Sequence, residues 1–177
     1  YALGQAGMAA AAGLMLVTWF VVFAPKTAGY RSGVGIWIAF LALLTTAVLL
    51  STRPTPARFN SDLYWLYLLV QAGAYALNAW ASFRYQALLR RRHALGLARP
   101  VVANRMLLWG LSSSMIMLQY LFTVGCILLA RVGWPGLYQP GVIGALGLVS
   151  AACMTLAFFP PRAYLRRFQA AATRDPS

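Results

Sequence analysis

Five stretches of this chain, each between about 17 and 25 residues long, contain no charged side chain, and nothing else in the sequence narrows the fold as far. They cover 2–24, 34–50, 63–83, 106–130 and 141–159. A bilayer hydrocarbon core about 30 Å thick is crossed by a helix of roughly 20 predominantly apolar residues. Each stretch therefore reads as a transmembrane helix, with Ser51 and Thr52 able to extend the short second one. Pro25, Pro54, Pro56, Pro100, Pro135, Pro140, Pro160 and Pro161 all lie outside or at the edges of these runs. Proline removes a backbone donor and clashes with the preceding turn, so its placement supports the same boundaries. The expected fold is an all-α polytopic membrane protein with five transmembrane helices.

Composition agrees. Hydrophobic residues make up 61% of the chain and charged residues 10%, with a mean hydropathy of +0.67. Soluble domains run nearer 45–50% apolar and about 25% charged, which excludes an ordinary soluble domain and a disordered chain.

The basic residues set the orientation. Lys26, Arg31, Arg84, Arg90, Arg91, Arg92, Arg99, Arg105, Arg162, Arg166, Arg167 and Arg174 fall on one side of the five spans. Only Arg53, Arg58 and Arg131 fall on the other. Cytoplasmic loops carry the excess of Lys and Arg, so the amino end is expected outside and the carboxyl end inside a bacterial inner membrane. An outside amino end on a chain beginning at Tyr1 leads to the expectation of a longer gene product, with an upstream hydrophobic segment removed. Tyr64, Trp65, Tyr67, Trp134 and Tyr138 would anchor the outer boundary, and Trp19, Trp37, Trp80, Tyr85, Trp109 and Phe159 the inner one.

The net charge is +13, against only two acids, Asp62 and Asp175. No phosphate-reading motif accompanies it, and the basic residues alternate with apolar runs, so nucleic acid is not the expected partner. All basic residues except Lys26 are arginine. Together with abundant Ala, Leu and Gly, that usage points to a GC-rich genome such as an actinobacterium's.

The chemistry missing from the runs is informative. None contains Asp, Glu, Lys, Arg or His, the residues that mark proton relays and ion pathways in membranes. The single histidine, His93, sits in an arginine run, and Cys126 and Cys153 lack metal-ligand spacing. Both cysteines are expected as small buried hydrophobes. No catalytic residue, metal or cofactor is expected, and an enzymatic role would need catalytic groups from a partner, as in a lipid-modifying complex.

Neutral polar residues remain. Gln71, Asn78 and Ser82 recur at helical spacing in the third run, and Ser112, Gln119, Thr123 and Cys126 in the fourth. Gln71 and Gln119 should lie at similar depth, as should Asn78 and Ser112. The two stripes are therefore expected to face and hydrogen-bond each other, as interhelical glue or as contacts to a polar ligand. Gly141, Gly144, Gly147 and Ala151 should line one face of the fifth run, and Gly7, Ala11 and the stretch 9–13 suit close packing in the first. Such faces suit packing within the chain, self-association or docking of another membrane subunit.

Two segments should leave the bilayer. The third helix is expected to continue through 84–93, since nothing breaks it before Gly96. After Pro160 and Pro161, Tyr164, Leu165, Phe168 and Ala172 share one helical face with arginines around the rest, which reads as a short amphipathic juxtamembrane helix. Arg90, Arg91, Arg92, Arg162, Arg166 and Arg167 are the candidate contacts to anionic lipid headgroups.

The stretch Asp62-Leu-Tyr-Trp-Leu-Tyr-Leu-Leu, the arginine run ending Arg99-Pro100, the helix pair after it and the exit Pro-Pro-Arg-Ala-Tyr-Leu-Arg-Arg resemble the membrane region of actinobacterial multi-pass proteins of transporter or regulator type without assigned roles. The resemblance covers about residues 60–170 and carries over no functional residue. The tryptophan-rich sensory proteins also have five spans, but their Trp-x-Pro-Pro signature is absent, Trp134-Pro135-Gly136 being the nearest match. The expected function is a non-catalytic integral membrane module, either an accessory or assembly subunit or the membrane half of a sensor or regulator. The alternative is a transporter or channel for a neutral or apolar solute.

Overall fold

A computed structural model of the chain describes residues 2–23, 28–50, 62–97, 100–132, 139–162 and 164. Among them five helices form in order: α1 (Ala2–Phe23), α2 (Ala28–Leu50), α3 (Asp62–Ala94), α4 (Pro100–Arg131) and α5 (Gln139–Phe158). The charge-free runs located all five, but the helices exceed them. α2 begins six residues before its run, α3 continues eleven residues beyond its own, and α4 starts at Pro100 rather than Met106. A charge stops an apolar run but does not stop a helix, because Arg is a good helix former. The long α3 ends where expected. Gly96 adopts φ +71°, its N–H donates to the His93 carbonyl (2.9 Å), and the Leu97 N–H donates to the Arg92 carbonyl (2.9 Å). This pair of bonds closes a helix end through a left-handed residue, a conformation open to glycine at little steric cost. Arg91, Arg92 and His93 occupy the last turn, where positive charge suits the helix dipole.

α3 is the hub. It packs against α4, α1 and α2, while α5 packs on α4 and α1 on α2. The core combines Ala12, Leu16, Leu41, Leu44, Leu68, Ala72 and Ala74 with the phenol rings of Tyr64, Tyr67, Tyr75 and Tyr120. Tyr64 and Tyr67 are thus buried and ring-stacked (centroids 6.2 Å apart), with their rings turned into the bundle. On the side toward α2, Gly73 faces the Trp37 indole, whose nearest ring atom lies 3.1 Å from where a Cβ would stand.

The distribution of polarity is inverted relative to a water-soluble bundle. Buried residues include Gln71, Asn78, Ser82, Ser112, Ser113 and Ser150, whereas Leu14, Val21, Ile36, Leu43, Leu148 and Phe159 are all largely exposed. Exposed apolar surface on this scale marks contact with lipid or with another protein.

The expectation of five spans is nevertheless corrected. Among the described residues only two helices are long and apolar enough to cross a membrane: Pro100–Ala130 and Pro140–Phe158. In each, 11% of the apolar window is buried, far less than in the core helix of a soluble protein. These two helices indicate membrane association. The described apolar stretches of α1 and α2, Ala9–Thr18 and Gly35–Ala47, have 10 and 13 residues and fall short of the roughly 20 required. α3 is long enough, but freedom from charge is not apolarity. Tyr64, Trp65, Tyr67, Gln71, Tyr75, Asn78 and Ser82 lower its hydropathy, and four arginines occupy its last eleven residues.

The glycines of α4 give a sharp test of this packing. A Cβ at Gly110 would stand 2.7 Å from the Phe83 ring on α3, while one at Gly125 meets nothing within 4 Å. Gly110→Ala should destabilise the bundle by about 1–3 kcal/mol. Gly125→Ala should be neutral or stabilising by up to about 1 kcal/mol. Thermal unfolding in detergent reads both.

Candidate functional site

The polar residues of the helix interior form two seams, one on each side of α4. The first joins α3 to α4. Gln71, Asn78 and Ser82, spaced by seven and four residues, lie on one face of α3 and are fully buried. The Tyr120 hydroxyl donates to Gln71 Oε1, and the Tyr120 ring stacks on Tyr75 with centroids 5.9 Å apart. About two turns further along α3, Asn78 Nδ2 donates to Ser113 Oγ at 2.7 Å and lies 3.6 Å from Met15 Sδ, so Asn78 stands where α1, α3 and α4 meet. The second seam joins α4 to α5: the Ser112 and Ser150 hydroxyls share a hydrogen bond of 2.7 Å, and Gln119 Nε2 donates to the Ile143 carbonyl at 2.8 Å.

Gln119 reaches that backbone carbonyl because Gly147 lies beside it. A Cβ at position 147 would stand 3.1 Å from Gln119 Nε2. Gly147 is therefore the member of the expected small-residue face that makes the close approach. Gly144 meets nothing within 4 Å, and Gly144 and Ala151 are exposed.

The stripes Gln71/Asn78 and Ser112/Gln119 were expected to face each other, and they do not. α4 turns Ser113 and Tyr120 toward α3, and Ser112 and Gln119 toward α5. One residue is about 100° of helix rotation, so a register error of one moves a side chain to a different neighbour. The sequence offered both pairs at the same spacing of seven, and the triplet Ser112–Ser113–Ser114 did not distinguish them. Ser113, Tyr120 and Ser150 are the seam residues the sequence reading missed. Thr123 bonds within its own helix, its hydroxyl donating to the Gln119 carbonyl at 2.8 Å. Thr18, Thr45, Thr46, Ser114 and Thr155 do likewise, each toward the carbonyl four residues earlier.

Arginines gather beyond the seams. Arg90, Arg91 and Arg92 are exposed in the last turns of α3. With its amide oxygen toward the guanidinium, Gln86 accepts from Arg90 Nη2 at 3.0 Å. The Arg84 guanidinium lies 5.4 Å from the centre of the Trp80 ring, a cation–π contact. Arg162 is exposed after α5, and the Tyr164 N–H donates to the Pro161 carbonyl at 3.0 Å. Burial raises the Tyr164 phenol above its ordinary range, an effect the Arg105 charge offsets only in part. Arg166 and Arg167, with the rest of the expected juxtamembrane helix, lie outside the described residues, as do Trp134 and Tyr138. Cys126 and Cys153 are free and half-buried, and no group of three His, Cys, Asp or Glu side chains suited to a metal occurs among the described residues.

No protein-family model, characterised protein or solved structure matches this chain. The function must be argued from its own geometry.

The two-seam arrangement can be read by cross-linking. In a Cys126→Ala, Cys153→Ala background, Ser112→Cys with Ser150→Cys should form a disulfide under mild oxidation, because the two side chains already touch. Asn78→Cys with Ser112→Cys should not. Gel mobility with and without reductant distinguishes the seams, and the opposite pattern would reverse the rotation assigned to α4.

Proposed function

We propose that the chain is a non-catalytic membrane module, an accessory or assembly subunit or the membrane half of a sensor or regulator, held in the bacterial plasma membrane by α4 and α5. The observation that carries this reading is the chemistry of the interior. In the two seams formed by the described residues, the interhelical hydrogen bonds join neutral amides, hydroxyls and one backbone carbonyl, with no Asp, Glu, Lys, Arg or His among them. Such groups fix which helix faces which. None of them is a general acid or base near neutral pH, and without a base beside them the hydroxyls are weak nucleophiles.

The arginines supply the orientation of α4 and α5. Arg105 stands near the start of α4 and Arg162 just after α5, so the excess of positive charge puts these ends in the cytoplasm. There Arg90, Arg91, Arg92 and Arg162 meet anionic headgroups, each such contact being worth about 1 kcal/mol near the surface. The partners on the apolar flanks are lipid and other membrane subunits or a second copy. α2 presents them a shallow groove of about 500 Å³ lined by Ala39, Ala42, Leu43, Thr46, Ala47 and Leu50. Its one hydroxyl, on Thr46, donates to the Ala42 carbonyl at 2.9 Å, so its donor is already used within the helix.

A second reading, a transporter or channel for a neutral solute, is favoured by the unpaired halves of the Gln71 and Asn78 amides. Two measurements separate the possibilities. Membranes washed with alkaline carbonate should retain the chain, and its release into the supernatant would end the membrane reading. Proteoliposomes carrying it should pass glycerol and urea no faster than empty vesicles. Flux lost in Gln71→Leu plus Gln119→Leu, with folding intact, would establish the transporter reading instead.

A further inference from the structure

The outer face of α3 carries an exposed stripe in which apolar and cationic side chains alternate. Trp80, Arg84, Leu88 and Arg91 follow one another at intervals of four, four and three residues, and Leu95 comes four later, just past the helix end. At about 100° per residue, the four within α3 fall inside a sector of roughly 80°. Arg84 and Arg91 are exposed, and so are Trp80 by 56%, Leu88 by 44% and Leu95 by 72%. The buried residues of the same segment, Gln86 and Leu89, lie about 140–160° round the helix from Arg84. From Arg84 onward the spacing of four, three and four is that of one seam of a coiled coil, with arginine at alternate positions. We propose that this stripe docks an acidic amphipathic helix of a partner protein, with carboxylates opposite Arg84 and Arg91 and apolar side chains opposite Leu88 and Leu95.

Charge selects the partner. The Arg84 guanidinium lies over the Trp80 ring, 5.4 Å from its centre, a contact that uses its face and not the N–H edge that grips a carboxylate. The chain has only two acids: Asp62 opens α3, about 33 Å from Arg84 along the axis, and Asp175 lies outside the described residues. Acids on two separate segments form no carboxylate row, so a second copy cannot supply the complement.

Position selects a protein over lipid, a choice that rests on the membrane reading above although the stripe itself does not. A Cβ at Gly110 would meet the Phe83 ring, and the neighbouring Trp109 ring lies 5.7 Å from that of Phe158, the last residue of α5. Phe83 and the end of α5 thus stand at one level. The 20 residues of α5 measure about 30 Å, so this level is the edge of the hydrocarbon core. The headgroup layer adds about 5–8 Å, whereas Leu88 stands about 7 Å and Leu95 about 18 Å past Phe83. Leu95 is beyond the reach of acyl chains, and a protein surface is what can cover it. Arginine stems are longer and lean back to headgroups from the same height. Arg90 and Arg92 keep that role on other faces of α3, and Arg91 exchanges a headgroup for a carboxylate when the helix docks.

The test takes the full chain in detergent and, as probe, a synthetic helical peptide with glutamates seven residues apart and leucines between them. By fluorescence anisotropy this peptide should bind, and its Glu→Gln form should bind at least about tenfold more weakly. Arg84→Gln with Arg91→Gln, and separately Leu88→Ser with Leu95→Ser, should each weaken binding by at least about tenfold. Arg90→Gln with Arg92→Gln removes the same charge from other faces and should cost less than about threefold. Equal losses in the two arginine pairs, no loss on removing the leucines, or no binding of the glutamate peptide would each overturn the proposal. Binding retained in nanodiscs containing phosphatidylglycerol supports a protein partner, and binding abolished there would give the stripe to headgroups instead. A dimer by light scattering that Leu88→Ser with Leu95→Ser dissociates would give it to a second copy. Carbonate extraction reads the membrane placement separately, so failure of that reading and failure of the docking stripe are told apart.

Discussion

Everything in this bundle follows from one constraint: a polar group removed from water must be given another hydrogen-bond partner. The helical backbone meets that requirement internally. The side chains Gln71, Asn78, Ser112, Ser113, Gln119, Tyr120 and Ser150 cannot, and they meet it only by choosing neighbours. Interhelical bonds of this kind contribute about 0.6–2 kcal/mol each, so stability is not their main product. The larger quantity is the penalty for wrong pairing, about 1–3 kcal/mol for each buried group left without a partner. A rotation or slide of α4 would break both seams at once and incur that penalty several times over. The polar groups therefore select one packing among the many that an apolar surface would tolerate.

That selection explains the division of labour among the helices. α4 is the mediator, showing Ser113 and Tyr120 to α3 and Ser112 and Gln119 to α5. Its glycines serve the same end. Gly110 admits the Phe83 ring, while Gly147 on the facing helix lets an amide reach a backbone carbonyl. α3 concentrates its polar and phenolic side chains on buried faces because three helices cover it, and so it can carry a composition that an apolar helix exposed to lipid could not. α5 buries little beyond Ser150 and Ala157 and keeps an apolar outer surface.

The sequence made the helices legible because their signals are local. Charge-free runs located all five, proline placement bounded them, and Gly96 marked the end of α3 through its own backbone conformation. The seams were half legible. Gln71, Asn78 and Ser82 are buried as their spacing implied, but which face of α4 meets α3 depends on rotation about an axis, and neighbouring residues carry nearly the same polar chemistry. The burial of Tyr64 and Tyr67 was hidden for a related reason. A phenol at a helix end fits a headgroup belt and a packed core equally well by composition, and only the covering helices decide. The number of spans failed on a different point. Absence of charge was taken as fitness for lipid, whereas amides and phenols in α3 raise the free energy of transfer into lipid without adding any charge.

The same neutrality determines what the molecule can respond to. With no Asp, Glu, Lys, Arg or His in either seam, the pairing of α3, α4 and α5 is indifferent to pH across the physiological range. The arginines at the far end are equally indifferent, since guanidinium stays protonated at any pH a cell reaches. Their charge has almost no counterpart in the chain, because the only acids are Asp62, at the opposite end of α3, and Asp175. Compensation must come from outside, and it varies with ionic strength and with the anionic surface the arginines meet. A chain built this way meets surroundings of variable ionic composition at one end while the seams of its interior hold a fixed packing.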